Sequence, residues 1–296
     1  MLDKKPHGDL DQWWDEWIDV QIEKVWGYYW SARWQDLEEL VDRISLVVKA
    51  RASAPSRMRF LKASCLSNLR KYRYFVTDEM LENSKENLGT SRQYGSLTDQ
   101  LECQFELGFL HLWRREIVEA EENLKLALEL AEKTGNLLFQ TLCLTYLTVL
   151  YRFKNQVDKV LIFAMRTKEA AEIAHMPDYA AAAKANLAWL DWREGDFIGA
   201  GQKSQEALEI WQGSPLVYPF QWMALWPKIG VACDKNRREE IGELFQKLLE
   251  PTQQILPKIL DEPVKRAVQN KETTNAEGCL VYQKQTIEQA KLLGYL

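Results

Sequence analysis

The amino-acid sequence predicts an all-α protein, a right-handed superhelical array of six or seven antiparallel helical hairpins. Three observations predict it. The chain repeats itself at an offset of 40 residues, and each copy spaces its apolar residues at three- and four-residue intervals, the period of a helix with one buried face. No Val- or Ile-rich alternation competes with that pattern, and 14 Gly and 9 Pro among 296 residues are too few for a loop-rich all-β chain.

The repeat is sharpest in three segments of identical length. LGFLHLWRREIVEAEENLKLALELA from Leu107 aligns with LTVLYRFKNQVDKVLIFAMRTKEAA from Leu147 and LAWLDWREGDFIGAGQKSQEALEIW from Leu187. Small or modest side chains recur in register: Gly108, Thr148 and Ala188 in the first helix, then Ala120, Val160 and Ala200, and Ala127, Thr167 and Ala207, in the second. Arg115, Asn155 and Gly195 coincide at the break between the helices. Gly195 is suited to a left-handed helix end and Asp196 to capping the helix that follows.

In chain order, Gly27 with Glu39 and Leu40 marks a first hairpin inside an aromatic-rich cap over about 9–50. Asn68 and Met80 mark the second, with Asp78 as the expected cap, and the clearest copies fill 100–213. Ile229 with Ile241 and Leu248 continues the series, and Ala267, Cys279 and Thr286 form a degenerate cap over about 252–296. Starts near 27, 68, 108, 148, 188, 229 and 267 leave little chain for another domain, so residues 1–296 are expected as one repeat domain. Pro177, Pro215, Pro219, Pro251 and Pro257 suit helix starts or connections, whereas Pro227 and Pro263 each imply a break or a kinked helix.

Charge and composition narrow the function. A net charge of −5 argues against a phosphate-backbone footprint, so nucleic acid is not an expected partner. The N-terminal stretch has no apolar run behind its lysines, and the longest uncharged runs, 134–151 and 210–227, are too polar or too proline-rich to span a bilayer. Five scattered cysteines without a C-x-x-C pair fit free thiols in a reducing compartment. The expectation is a cytoplasmic protein away from membranes.

The L-G/A-x-x-L pattern, the G-D-F turn and the alanines at the two close-packing points resemble the tetratricopeptide repeat family, most clearly over Leu107 to Trp211. The unit is nearer 40 residues than the family's 34 and lacks its usual terminal proline. CLTYLTVLYR, AKANLAWLDWREGDF, PLVYPFQWMALWP and LLEPTQQ resemble the superhelical tails of bacterial signal-transduction ATPases, such as maltose-regulon-activator-like regulators and proteins that also carry nucleotide cyclase domains. The resemblance implies a sensor or partner-binding tail. The G-x-x-x-x-G-K-[ST] phosphate loop of those ATPases has no counterpart here, so ATP hydrolysis by this chain is not expected.

No catalytic constellation, cofactor or metal set emerges. His7, His111 and His175 stand apart, and Cys103 and Cys143 lie one repeat apart, which register explains. The acidic pairs open helices, where they favour the macrodipole, and the six basic residues from Arg57 to Arg73 read as a solvated face, with contact to an acidic partner or RNA as the alternative. Eight aromatics crowd residues 13–34, with Trp26, Trp30 and Trp34 four apart on one stripe, and read as packing of the first hairpins or a docking surface.

In the family it resembles, the first helix of each hairpin lines the concave face. Repeat-equivalent positions there place Leu69, Phe109, Val149 and Trp189 beside Tyr72, Leu112, Arg152 and Trp192, followed by Arg73, Trp113, Phe153 and Arg193. From these we expect a groove of Tyr72, Arg73, Phe109, Trp113, Arg152, Phe153, Trp189, Trp192 and Arg193 that takes a protein or peptide partner with apolar and acidic groups; packing against the adjacent hairpin is the alternative for each aromatic and explains the arginines less well. The expected function is a non-enzymatic interaction scaffold, and the alternative is a small-ligand sensor controlling an ATPase or cyclase. Replacing Arg152 and Arg193 together by Ala is expected to weaken binding and leave helicity intact.

Overall fold

The computed structural model describes residues 10–272 and 276–296. Among the described residues there are fourteen helices and no strand. They succeed one another as hairpins: α1 (Leu10–Trp30) with α2 (Trp34–Arg51), α3 (Ala54–Lys71) with α4 (Asp78–Tyr94), α5 (Leu97–Trp113) with α6 (Ile117–Thr134), and α7 (Leu137–Phe153) with α8 (Val157–Ile173). The series continues as α9 (Pro177–Glu194) with α10 (Phe197–Gln212), α11 (Trp222–Asp234) with α12 (Arg238–Leu248), and α13 (Lys258–Glu272) with α14 (Ala276–Leu292). Each expected hairpin is therefore present, the seventh included. His7 lies outside the described residues, as does the side chain of Cys279.

The turns explain why the helices stop where they do. Arg115, Asn155, Gly195 and Asn236 all adopt positive φ, at 63°, 52°, 85° and 56°, so the break inside each of these hairpins is a left-handed residue whether or not glycine supplies it. Gly135 and His175, at 66° and 53°, do the same between hairpins. Side chains cap the next helix: Ser53 for α3, Asn136 for α7, Asp196 for α10, and a reciprocal Ser96–Asp99 box for α5. Asp78 does not cap α4. Thr77, one residue earlier and extended, accepts from the Met80 amide at 3.2 Å, and Asp78 becomes the first helical residue.

Small side chains set the distance between paired helices. Gly108, Thr148 and Ala188 are buried, as are Ala120, Val160 and Ala200, and Ala127, Thr167 and Ala207. A Cβ on Gly108 would stand 2.9 Å from the backbone nitrogen of Leu124, which shows how closely α5 and α6 approach. Thr148 Oγ1 and Thr167 Oγ1 are 3.4 Å apart across α7 and α8. Neither Pro227 nor Pro263 interrupts its helix. Both lie inside their helices, and α11 and α13 run through them.

The chain forms two compact units, Met1–Leu130 and Ala131–Leu296, with the division inside α6. In the first, α1 packs on α2 and α3, α2 on α3, α3 on α4, and α4 on α5. Its first hairpin has an aliphatic core of Ile18, Ile22, Val25, Leu37, Leu40, Val41, Ile44 and Val48, with Trp17, Trp26, Tyr28, Tyr29 and Trp34 partly buried around it and Trp30 exposed. In the second, each helix from α7 to α14 packs on the next, and α9 also lies against α7 and α11, so three first helices stand side by side.

The substitution Gly108→Ala is expected to destabilise the protein by about 1–3 kcal/mol, because backbone has to move to admit the methyl group. Gly201→Ala, within α10 and facing open space, is expected to stabilise by about 0.5–1 kcal/mol. Urea denaturation of both variants checks the contrast.

Candidate functional site

In the second unit, the segment after α14 turns back across α7, α9 and α11. Gly294 is left-handed, with φ 73°, and the Tyr295 and Leu296 amides both donate to the Ala290 carbonyl, at 2.9 and 3.1 Å. The three residues Gly294, Tyr295 and Leu296 are buried.

Arg152, near the end of α7, is the centre of this contact and is 0% exposed. Its Nε donates to the Gly294 carbonyl at 3.3 Å and Nη2 to the Tyr295 carbonyl at 2.5 Å. Nη1 donates to Asn186 Oδ1 of α9 at 3.2 Å and to the Met223 carbonyl of α11 at 2.9 Å. The guanidinium also lies over the rings of Trp189 and Trp222, 5.5 and 5.3 Å from their centroids. All four hydrogen-bond acceptors are uncharged, and burial pushes the guanidinium pKa well below its ordinary value.

Pro227 explains why the Met223 carbonyl is available. In an uninterrupted helix that oxygen would accept from the amide four residues on, but proline has none, and Arg152 takes the vacancy.

Aromatic rings and a missing side chain complete the seat. Tyr295 packs on Phe153, Trp222 and Trp226 with centroids 5.3, 4.7 and 6.0 Å away, and Phe153 stacks on Trp222 at 5.7 Å. Counted back from the left-handed break, Gly230 stands where Trp189, Val149 and Phe109 stand in earlier repeats. A Cβ there would be 2.7 Å from Leu296 Cδ1 and 2.5 Å from Trp192 Nε1, so the leucine fills what the glycine leaves open.

The expected groove residues divide between the units. In the first, Phe109 is buried in a ring cluster with Tyr74, Phe105 and Trp113, at 6.4, 5.8 and 5.5 Å, which makes it a core residue. Tyr72 is exposed at the end of α3, and Arg73 lies beyond the helix with φ 51°. In the second, Arg152, Phe153, Trp189, Trp192 and Arg193 do come together. Trp189 is fully buried, Trp192 donates to Asp234 at 3.0 Å, and exposed Arg193 donates to Asn155 at 2.9 Å while lying over Trp189 at 5.1 Å.

Asn186, Trp222, Met223, Trp226 and the Gly294–Leu296 segment were missed from sequence. One signal was available: Asn186 is repeat-equivalent to Glu106, a polar residue inside a helix of the same kind. Glu106 lies half-buried, and removal from water pushes its carboxyl up to about 7 against the pull of Ser84, Cys65, Lys62 and Asn87. Cys103, also buried, has its thiol pushed up to about 12, and His111 pairs with Glu116 at 2.5 Å. Among the described residues no cluster of His, Cys, Asp and Glu could hold a metal ion, and no helix is long and apolar enough to cross a membrane.

No protein-family model matches the chain, and no curated protein matches it in sequence.

Arg152→Ala is expected to cost about 2–4 kcal/mol, because it opens a cavity and strands four oxygen acceptors, whereas Arg193→Ala stays within about 0.5 kcal/mol. The double substitution expected from sequence to weaken binding and leave helicity intact therefore also carries the stability cost of Arg152, and only the Arg193 change is a clean probe of binding. Denaturation of each single variant checks this. For Glu106 the folded carboxyl holds its proton up to about 7 and the unfolded one only to 4.5. The protonated group's contribution is full below 4.5, is lost as pH rises to about 7, and is flat above. Stability should fall by about 2 kcal/mol between pH 5 and 8 from this group, and a Glu106→Gln variant measured across the same range should lack that fall.

Proposed function

We propose that the protein is a non-enzymatic interaction scaffold, a tetratricopeptide-like right-handed solenoid whose first helices present a groove to an extended peptide of a partner protein. One observation carries the reading: the face made by α7, α9 and α11 already holds a non-helical stretch of chain through its main-chain carbonyls and one aromatic side chain. Backbone carbonyls are common to every peptide, and a fixed guanidinium that bonds them supplies affinity while the flanking pockets select side chains.

The accessible rim of that face supports the same partner chemistry. Arg193 is exposed over an indole, and Phe153 and Trp192 are half-buried beside it. A rim of this kind favours a peptide with an aromatic residue and an acidic group.

Panning a random peptide library against the full chain tests the proposal. Selected peptides are expected to share an aromatic and an acidic position, and to bind Arg193→Ala at least about tenfold more weakly, a loss of about 1.4 kcal/mol. Arg43→Ala, on an exposed face of α2, should bind as the parent does. Selection of no common sequence, or indifference to Arg193, would overturn the assignment.

A further inference from the structure

The Gly294–Leu296 segment carries a second meaning. A protein that needed it only to close the last hairpin could end that hairpin on α13, against which α14 packs. Instead the segment reaches Arg152 and Phe153 of α7 and Trp222 and Trp226 of α11, and its contacts are those of a ligand: carbonyls to a guanidinium, a tyrosine among aromatic rings, a leucine over a glycine.

We propose that Gly294-Tyr295-Leu296 is a displaceable internal occupant of the peptide site, and that the external ligand which displaces it is a peptide presenting a carboxylate to Arg152. This rests on the peptide-binding reading of the same face. Charge favours a carboxylate. Arg152 is a buried cation, and the segment answers it with two neutral carbonyls where a carboxylate would form charge-assisted bonds in the same geometry. The site also keeps capacity that the segment does not use. The indole N–H groups of Trp189 and Trp226, both 0% exposed, meet no acceptor among the described residues.

Displaceability follows from how the segment is held. It lies beyond the end of α14, tied back to that helix by amide bonds from Gly294 to Lys291 and from Tyr295 and Leu296 to Ala290 rather than by a continuing helical ladder. Short segments of this kind open at lower free energy than the helices beneath them. Tethering gives the segment a high effective concentration, so it sets a threshold that an external peptide has to exceed.

Gly294 offers a way to remove the occupant without touching the seat. Its φ is positive, and a Cβ would stand 2.2 Å from the Arg152 carbonyl oxygen and 2.8 Å from Phe153 Cα. Gly294→Val should eject the segment and leave Arg152, Phe153 and the tryptophans in place. The probes are two fluorescent peptides with the sequence of residues 286–295, one ending in a free carboxylate at the tyrosine and one amidated there. In anisotropy titrations of the full chain, the acid is expected to bind Gly294→Val at least tenfold more tightly than the parent, and at least tenfold more tightly than the amide does. Adding Arg152→Met to the Gly294→Val chain should abolish the difference between acid and amide.

Hydrogen exchange on the unaltered protein keeps the test decisive should the variant fail to fold. The Tyr295 and Leu296 amides are expected to exchange at least a hundredfold faster than those of Leu147 and Leu150 in α7. Exchange of all four together, in one global opening, would make the segment a permanent part of the core and overturn the proposal. So would equal binding of the acid to parent and variant. Library peptides that still depend on Arg193 under either outcome would leave the scaffold reading standing, while acid binding to Gly294→Val without any selectable foreign peptide would remove that reading and keep the internal occupant.

Discussion

Close approach of paired helices at small side chains is the constraint on which the rest of the structure depends. Gly108 admits no methyl group beside Leu124, and two threonine hydroxyls meet across α7 and α8. A larger residue at any of these crossings would push a hairpin open and shift the pitch of those that follow, because each repeat is placed by its neighbour. In the second unit the first helices α7, α9 and α11 stand side by side, which brings repeat-equivalent side chains onto one face.

That face is where the structure departs from simple apolar packing. A buried arginine without a carboxylate is costly, and three separate elements combine to hold it: an asparagine of α9, a carbonyl of α11 released by Pro227, and the carbonyls of the segment after α14. Each part explains another. Without Arg152, a proline inside α11 would leave the Met223 oxygen buried with no amide to accept from. Without the returning segment, half of the guanidinium's acceptors would be gone.

The two units use one repeat position differently. Asn186, in the second, relays between Arg152 and the Ala182 carbonyl of its own helix, while Glu106, in the first, is an acid whose carboxyl is pushed up to about 7 by desolvation. Polar residues at equivalent points inside amphipathic helices thus mark the face on which each hairpin departs from pure packing, and they do so with opposite electrostatic consequences.

All-helical architecture, the number of hairpins and the residues at the crossings were legible in the sequence, because a 40-residue period and a three-to-four spacing are local properties that the chain cannot satisfy in another way. Left-handed breaks were legible at Gly195 and, through register, at Arg115 and Asn155. The identity of the α4 cap was not, since Thr77 and Asp78 are both good caps and one residue of helix start decides between them. Arg152 and Trp189 could be placed on one face by period alone, but period says nothing of depth. Only the tertiary structure decided that both are buried; for Arg152, the chain that covers it comes from more than 100 residues away, and no local pattern records a contact made at that separation.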